Sequence, residues 1–251
     1  MAHPYLSIII PAYNEAERIP QTLVAIDKAL AHAEFSYEII VADNASTDAT
    51  ADIVTRMAHA VRNVRVIDGG AGGKGVAVRN GMCAADGAIR LFMDADNSTG
   101  IEHFADMMPR FKEGYDVVIG SRAVRGAHID PPEPWPRELA GKALNMLAQI
   151  LLVPGLWDTQ CGFKAFTADA ATRIFATAKV SGWAFDVEAL ALAKRFGYRI
   201  KEVPVRWAHD PRSRIRFVSG FHFIKELCEI RWRLWRGEYS WMGLDNRQGV
   251  R

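Results

Sequence analysis

The chain has 251 residues, 49% of them hydrophobic, and a formal net charge of +2. That apolar content is ample for one large core, and a near-zero charge gives no support to a nucleic-acid partner. The three cysteines, Cys83, Cys161 and Cys228, are far apart and odd in number, which argues against a disulfide framework or a zinc site and for a reducing compartment.

In chain order, "LSIIIPAYNE" opens as an apolar strand stopped by Pro11. "TLVAIDKALAHA" has helical spacing, and "YEIIVAD" is a second strand ending in Asp43. "STDATADIVTRMAHAV" begins with cap residues and continues as a helix. "VRVID" reads as a third strand, "GVAVRNGMCAA" as a helix and "AIRLFMDAD" as a fourth strand. Strands and helices alternating at short range predict an α/β fold, a doubly wound, mostly parallel sheet flanked by helices. Ligands of such sheets bind beyond the carboxyl ends of the strands. The polar stretches 11–15, 43–48, 68–75 and 94–99 all follow predicted strands, so they are expected to gather at one sheet edge.

Beyond Ser98, "FADMMPRFKEG" reads as a helix and "YDVVIGSR" as a strand, and the Pro-rich "GAHIDPPEPWPRE" reads as a loop. The apolar segment 143–157 is too short to span a bilayer and is broken by Pro154 and Gly155; its first part, 143–152, beside the basic, Pro-rich loop, is a candidate contact with a bilayer or lipid tail. No signal peptide is expected, and neither a repeat nor a dividing linker is apparent.

Two stretches carry chemistry. "GGAGGKG", residues 69–75, lies between a strand and a helix. Glycines such as Gly73 let a backbone approach a ligand, a helix N-terminus favours an anion, and Lys74 adds positive charge. A Walker motif fails, because Gly75 stands where Ser or Thr is required. A plain flexible turn and a phosphate site both remain open readings of this loop. In "DADNS", Asp94 and Asp96 supply hard oxygen ligands suited to Mg²⁺ or Mn²⁺ bridging to substrate phosphates. The competing reading is an Asx turn with solvated acids. A cationic glycine-rich turn at the same sheet edge favours the metal–diphosphate reading.

"IIIPAYNE", "ADNASTDAT", "GGKGVAVRNG", "MDADNS", "VIGSR", "DTQCGFKAF" and "WAFDVEAL…GYRIKEVPVRW" occur in that order. Together they resemble glycosyltransferase family 2 enzymes of GT-A fold. Within that family they are most similar to the polyprenyl- and dolichyl-phosphate hexosyltransferases, the dolichyl-phosphate beta-glucosyl branch above all. The resemblance spans about residues 5–220. It implies a GT-A domain with a Rossmann-like nucleotide-binding half over 1–220, followed by a C-terminal helix and tail over 221–251.

The resemblance implies that Pro11, Tyr13 and Glu15 hold the nucleoside and that Asp43 contacts the base or ribose. It places Gly73, Lys74 and Arg79 near the nucleotide and its diphosphate, and gives Asp94 and Asp96 the D-x-D role, with Asp96 touching the metal directly. Ser98 is smaller than the further ligand of some relatives, which leaves room for water. Arg122, Arg137 and Arg214 match basic positions that hold an acceptor phosphate. Asp186 matches an acid that serves hydroxyl acceptors as base, or else orients sugar or acceptor, while Glu188 is open between site and scaffold. Cys161 is not expected as a nucleophile, since an inverting displacement needs none.

The implied reaction is inverting transfer of a hexose, glucose favoured, from a nucleotide sugar (UDP favoured over GDP) to polyprenyl phosphate, assisted by Mg²⁺ or Mn²⁺. The alternatives are a hydroxyl acceptor with Asp186 as base, a nucleotidyltransferase, whose long glycine-rich N-terminal signature is absent, and a nucleotide-sugar binding module.

In "FHFIKELCEIRWRLWRGEYSW", Phe223, Leu227, Ile230 and Leu234 share one helical face, and Lys225, Glu229, Arg233 and Arg236 share another. The basic charge with Trp232 and Trp235 predicts a helix lying in a headgroup region; the other reading is a helix packed on the domain with a solvated polar face. A cytoplasmic enzyme, peripheral on the cytoplasmic face of the membrane, is the expectation.

Overall fold

The structure is a computed structural model that describes residues 3–130, 135–208 and 219–240. Its frame is a seven-stranded sheet in the order β3-β2-β1-β4-β7-β5-β8. The strands are β1 (Leu6–Ala12), β2 (Tyr37–Asp43), β3 (Val64–Asp68), β4 (Ile89–Met93), β5 (Val117–Ser121), β7 (Phe163–Thr167) and β8 (Ile200–Pro204). A two-stranded parallel ribbon pairs β6 (His128–Asp130) with β9 (Arg206–Ala208). All pairings in the large sheet are parallel except those of β7, which runs antiparallel to both β4 and β5.

Alternation along the strands builds two cores. Ile9, Ile40, Phe92, Val117, Ile119 and Phe166 point to one face. That face is covered by α3 (Lys74–Ala84), α5 (Trp135–Leu151), α6 (Ala168–Thr177), α7 (Phe185–Arg195) and α8 (Ser219–Trp235). Ile8, Ile10, Ile39, Val41, Leu91 and Val118 point to the other, under α1 (Ile19–Ala29), α2 (Thr50–Met57) and α4 (Phe104–Lys112). Strands buried on both faces read as continuous apolar runs, as "LSIII" and "YEIIVA" do.

Of the boundaries that differ from the sequence reading, three have a clear local reason. β1 runs through Pro11 to Ala12, because its pairing with β4 ends at Ile9↔Phe92 while pairing with β2 continues to Ala12↔Asp43. A missing N–H is tolerated where one side of the strand has no partner. α2 starts at Thr50 rather than at Ser46, because Ser46, Thr47 and Asp48 bond to the preceding loops instead. The Pro-rich segment expected to be all loop contains β6 and the start of α5; residues 131–134 lie outside the described residues.

β1, β2 and β3 step one way across the sheet and β4 lies on the other side of β1. The chain reversal between β1 and β4 is the switch point where such sheets open a ligand crevice.

Candidate active site

The four polar stretches do meet at the carboxyl edge. Ala12 pairs with Asp43, and Asp43 with Asp68. The loops after β1 and β2 are laced together: Asn14 Oδ1 accepts from Thr47 N at 2.8 Å, and Glu15 N donates to Thr50 Oγ1 at 2.8 Å. Asn14 takes a left-handed conformation (φ 54°) to make that reach, which asparagine tolerates better than most residues. Pro11 is buried, Tyr13 is half exposed beside it, and the Glu15 carboxylate is held by Arg18 Nε at 2.6 Å. Asp43 Oδ2 accepts from Ser46 N at 3.1 Å, whereas Asp43 Oδ1 and Asn44 Oδ1 are buried without a hydrogen-bond partner. A buried unpartnered acceptor costs about 1–3 kcal/mol, so this corner is built to receive a donor.

β4 stops at Met93, and the chain turns at once: Asn97 N donates to Asp94 O at 3.2 Å with Asn97 at φ 54°. Thr22 on α1 pins the turn by donating to Ala95 O at 2.6 Å. Asp94 and Asp96 therefore stand on a turn and not on a continuing strand. Asp94 Oδ1 accepts from Lys74 Nζ, and Asp96 Oδ1 accepts from Ser98 N at 3.0 Å. Burial works against the Lys74 ammonium, but the carboxylates of Asp94, Asp186 and Asp96 outweigh it and raise its pKa. The rings of Trp183 and Phe185 lie 5.9 and 5.8 Å from Lys74 Nζ.

The glycine-rich loop serves the protein's own backbone. Gly73 has φ 120°, and a Cβ there would sit 2.5 Å from Ser181 O. A Cβ on Gly75 would lie 2.6 Å from Val180 O, and Gly75 N donates to Ser181 O at 2.9 Å. The helix donor expected to face a phosphate is thus taken by the 180–182 segment, and the charge offered at this edge is Lys74. Arg79 does not join that cluster; its Nη1 reaches Ala178 O at 3.4 Å, at the end of α6.

Because β7 runs antiparallel, its amino end lies at the carboxyl end of β4, with Met93 opposite Phe163. This brings 158–164 into the site. Gly162 packs on Asp94: a Cβ there would fall 2.1 Å from Asp94 Oδ2. Lys164 is wholly buried, its Nζ 2.6 Å from Asp186 Oδ1 and 5.5 Å from the Phe92 ring centroid. Burial raises the Asp186 pKa, with Lys164 and Lys74 only partly offsetting it. Cys161 is buried and its thiol is pushed up to about 12, by burial first and then by Asp158. It is no nucleophile at neutral pH.

Arg122 is committed to Asp158: Nε to Oδ2 at 2.8 Å, Nη2 to Oδ1 at 3.0 Å and its backbone N to Oδ2 at 2.9 Å. Burial penalises the Asp158 carboxylate, yet the Arg122 charge and hydrogen bonds bring its pKa down to about 2. Arg137 falls in the first turn of α5, and its side chain lies outside the described residues, as does Arg214 entirely. Ala208 N donates to Ser98 O at 2.8 Å beside the Asp96 turn. Glu188 is a structural clamp, accepting from Lys179 N, Val180 N and Tyr239 Oη at 2.9, 2.9 and 2.6 Å.

Sequence reasoning missed Lys164, Asp158 and Gly162. The signal for Lys164 was present: a lysine inside the apolar run "FKAF" is a charge that burial forces to find a partner.

Asp94 and Asp96 suit a divalent metal by donor chemistry. Asn97 Oδ1 in the same turn is buried without a partner. Among the described residues no group of three His, Cys, Asp or Glu could close a metal shell. Two carboxylates with remaining positions for phosphate and water match Mg²⁺ or Mn²⁺ rather than an all-protein cage.

The sequence model described as Glycosyl transferase family 2 matches residues 7–175. A dolichyl-phosphate beta-glucosyltransferase of Dictyostelium discoideum is 36% identical over 243 residues, covering 91% of this chain and 74% of the relative. The enzyme of that name from Homo sapiens is 34% identical over 255 residues, covering 93% and 77%. Among solved structures, mannosyl-3-phosphoglycerate synthase from Rubrobacter xylanophilus superposes with TM-score 0.68 at 17% identity, covering 97% of this chain and 78% of that one. Glucosyl-3-phosphoglycerate synthase from Mycobacterium tuberculosis, in complex with Mn²⁺, UDP-glucose and phosphoglyceric acid, gives 0.65 at 19% identity, covering 91% and 80%. These two likenesses speak to the fold.

Proposed function

Since the chain belongs to glycosyltransferase family 2, we propose that it transfers a hexose, glucose by preference, from a nucleotide sugar to a polyprenyl or dolichyl phosphate, with inversion at the anomeric carbon. The relatives named for dolichyl-phosphate glucosylation support the acceptor class. The observation that carries the reading is that Asp186, the acid placed to serve as a base, is ion-paired with buried Lys164, as Asp94 is with Lys74 and Asp158 with Arg122. A hydroxyl acceptor needs a base to take its proton. A phosphate monoester is already ionised near neutral pH, with a second pKa of about 6, and needs only to be held and aimed.

In this reading Asp43, with its unpartnered oxygen, accepts from the base or ribose of UDP, and Pro11, Tyr13 and Glu15 line the nucleoside. Lys74 and Gly73 adjoin the diphosphate, and Arg79 supports the nearby end of α6. Asp94 and Asp96 would hold Mg²⁺ or Mn²⁺, which supplies charge neutralisation for the departing diphosphate. The acceptor oxygen attacks the anomeric carbon from the face opposite the diphosphate, so an α-linked donor gives a β-linked product. Arg137 and Arg214 are the cations proposed to grip the acceptor phosphate in bidentate fashion. Arg122 orders the Asp158 turn.

One observation favours the alternative, a hydroxyl acceptor. Burial raises the Asp186 pKa, a property of general bases. Labelled UDP-glucose and GDP-mannose, offered with short polyprenyl phosphates and either metal, decide the matter. Label moving from UDP-glucose into the organic phase supports the proposal. Label appearing only on a soluble saccharide, with loss of that transfer in Asp186→Asn, replaces it.

A further inference from the structure

We propose that the outer faces of α5 and α8 together form a docking surface that seats this chain on an anionic lipid bilayer. The inner stripe of α8 is not available for that purpose. Phe223, Leu227 and Ile230 are buried in the core with α7. A second stripe, of which the sequence reading singles out Trp232 and Trp235, lies on the solvent side. Phe221, Ile224, Cys228, Trp232 and Trp235 recur at intervals of three and four residues, which is one face of a helix. Phe221 is 83% exposed and Trp235 75%.

α5 repeats the arrangement. Leu139, Met146 and Ile150 fall on one line and are all exposed. Seven of the twelve exposed large hydrophobic side chains of the described residues lie on these two helices. That clustering marks an interaction surface; scattered single apolar residues would not. The helices pack against each other, and an open apolar groove of about 350 Å³ between them is lined by Leu151, Cys228, Arg231, Trp232 and Trp235.

Charge and side-chain type select the occupant. Arg231 borders the stripe on one side, exposed and without a carboxylate partner among the described residues. Lys225 and Arg236 border it on the other, Lys225 3.7 Å from Glu229, Arg236 3.4 Å from Glu238 and 5.9 Å from the Trp232 ring; with Arg231 and Arg233 the face keeps an excess of positive charge. Exposed tryptophans with a polar indole N–H, flanked by cations on long apolar stems, suit the boundary between headgroups and acyl chains. A symmetric dimer through this face would bring the basic rims of two copies together, which like-charge repulsion opposes. No helix among the described residues is long and apolar enough to cross a membrane; the proposed contact is that of two helices lying on the bilayer. The inference rests on the lipid-phosphate reading for its purpose, because an acceptor with a long apolar tail stays in the bilayer.

The test is flotation of the full chain with vesicles of phosphatidylcholine alone and of phosphatidylcholine mixed with phosphatidylglycerol, without donor or acceptor. Wild type is expected to float with the mixed vesicles and to be released by high salt. The variant Ile150→Glu/Trp232→Glu/Trp235→Glu is expected to lose flotation by about tenfold or more while melting at the wild-type temperature. In transfer assays it should retain activity on a short water-soluble isoprenoid phosphate and lose it on a long one held in vesicles. Failure of wild type to float, or equal flotation of the variant, overturns the proposal. So does light scattering that shows a wild-type dimer split by the same substitutions, which would assign the face to a second copy. Flotation without transfer to any lipid phosphate would instead overturn the acceptor assignment and leave the docking surface standing.

Discussion

Lys164 Nζ, with no exposed surface, lies 2.6 Å from Asp186 Oδ1 and donates also to Cys161 O at 2.5 Å. One buried contact thus joins β7, the turn before it and the first turn of α7. Removing one partner of a buried ion pair strands the other charge and costs about 3–5 kcal/mol. Lys164→Met is expected to lower stability by about 3 kcal/mol, measured by urea unfolding. Lys164→Met/Asp186→Leu should recover most of that loss. A double variant as unstable as the sum of its parts would show that the two groups are not coupled.

Asp158 makes stability depend on acid. Its pKa stands at about 2 against an ordinary 3.8, so the folded state favours its charged form. That contribution, ~2 kcal/mol, is fully present above about pH 4 and disappears as pH falls through 2. Asp158→Asn should therefore be less stable than wild type at neutral pH, with the gap closing between about pH 4 and pH 2. Unfolding curves at a series of pH values check the sign; a constant gap would detach the effect from this carboxylate's titration.

Gly162→Ala places a methyl group where Asp94 now sits, 2.1 Å from its Oδ2. The side chain must move aside. A misplacement near 1 Å at a reacting centre costs about 100-fold, so kcat/KM for transfer is expected to fall by about that factor with little change in melting temperature. Activity equal to wild type would show that Asp94 works equally well displaced.

Asp96→Ala is expected to abolish transfer that depends on added Mg²⁺ or Mn²⁺, and EDTA should do the same to wild type. Circular dichroism and melting should stay near wild type, because the Asp96 side chain supports only the local bond to Ser98 N. Manganese titration followed by electron paramagnetic resonance supplies a readout independent of turnover: wild type with UDP should bind the ion and Asp96→Ala should not. Undiminished transfer by Asp96→Ala would remove the metal assignment.

Much of this was legible beforehand because it is local. Apolar runs bounded by turn residues gave β1 through β5, and the rule that parallel strands point one way placed residues 11–15, 43–48, 68–75 and 94–99 on one edge. The ordered motifs identified the family. The β1 and α2 boundaries were misread because hydrogen bonds from neighbouring elements, not propensity, fixed them.

What the sequence determined by itself was therefore the alternation of elements, the sheet edge and the identity of the acids on it, since hydrophobic period and turn chemistry are properties of contiguous residues. Tertiary structure alone decided the partners. The reversed direction of β7 carries Gly162 and Lys164 to Asp94 and Asp186, and Arg122 to Asp158 spans 36 positions of chain. It also decided which stripe of α8 is buried, because a helix with two apolar faces has no preference until a neighbour covers one of them.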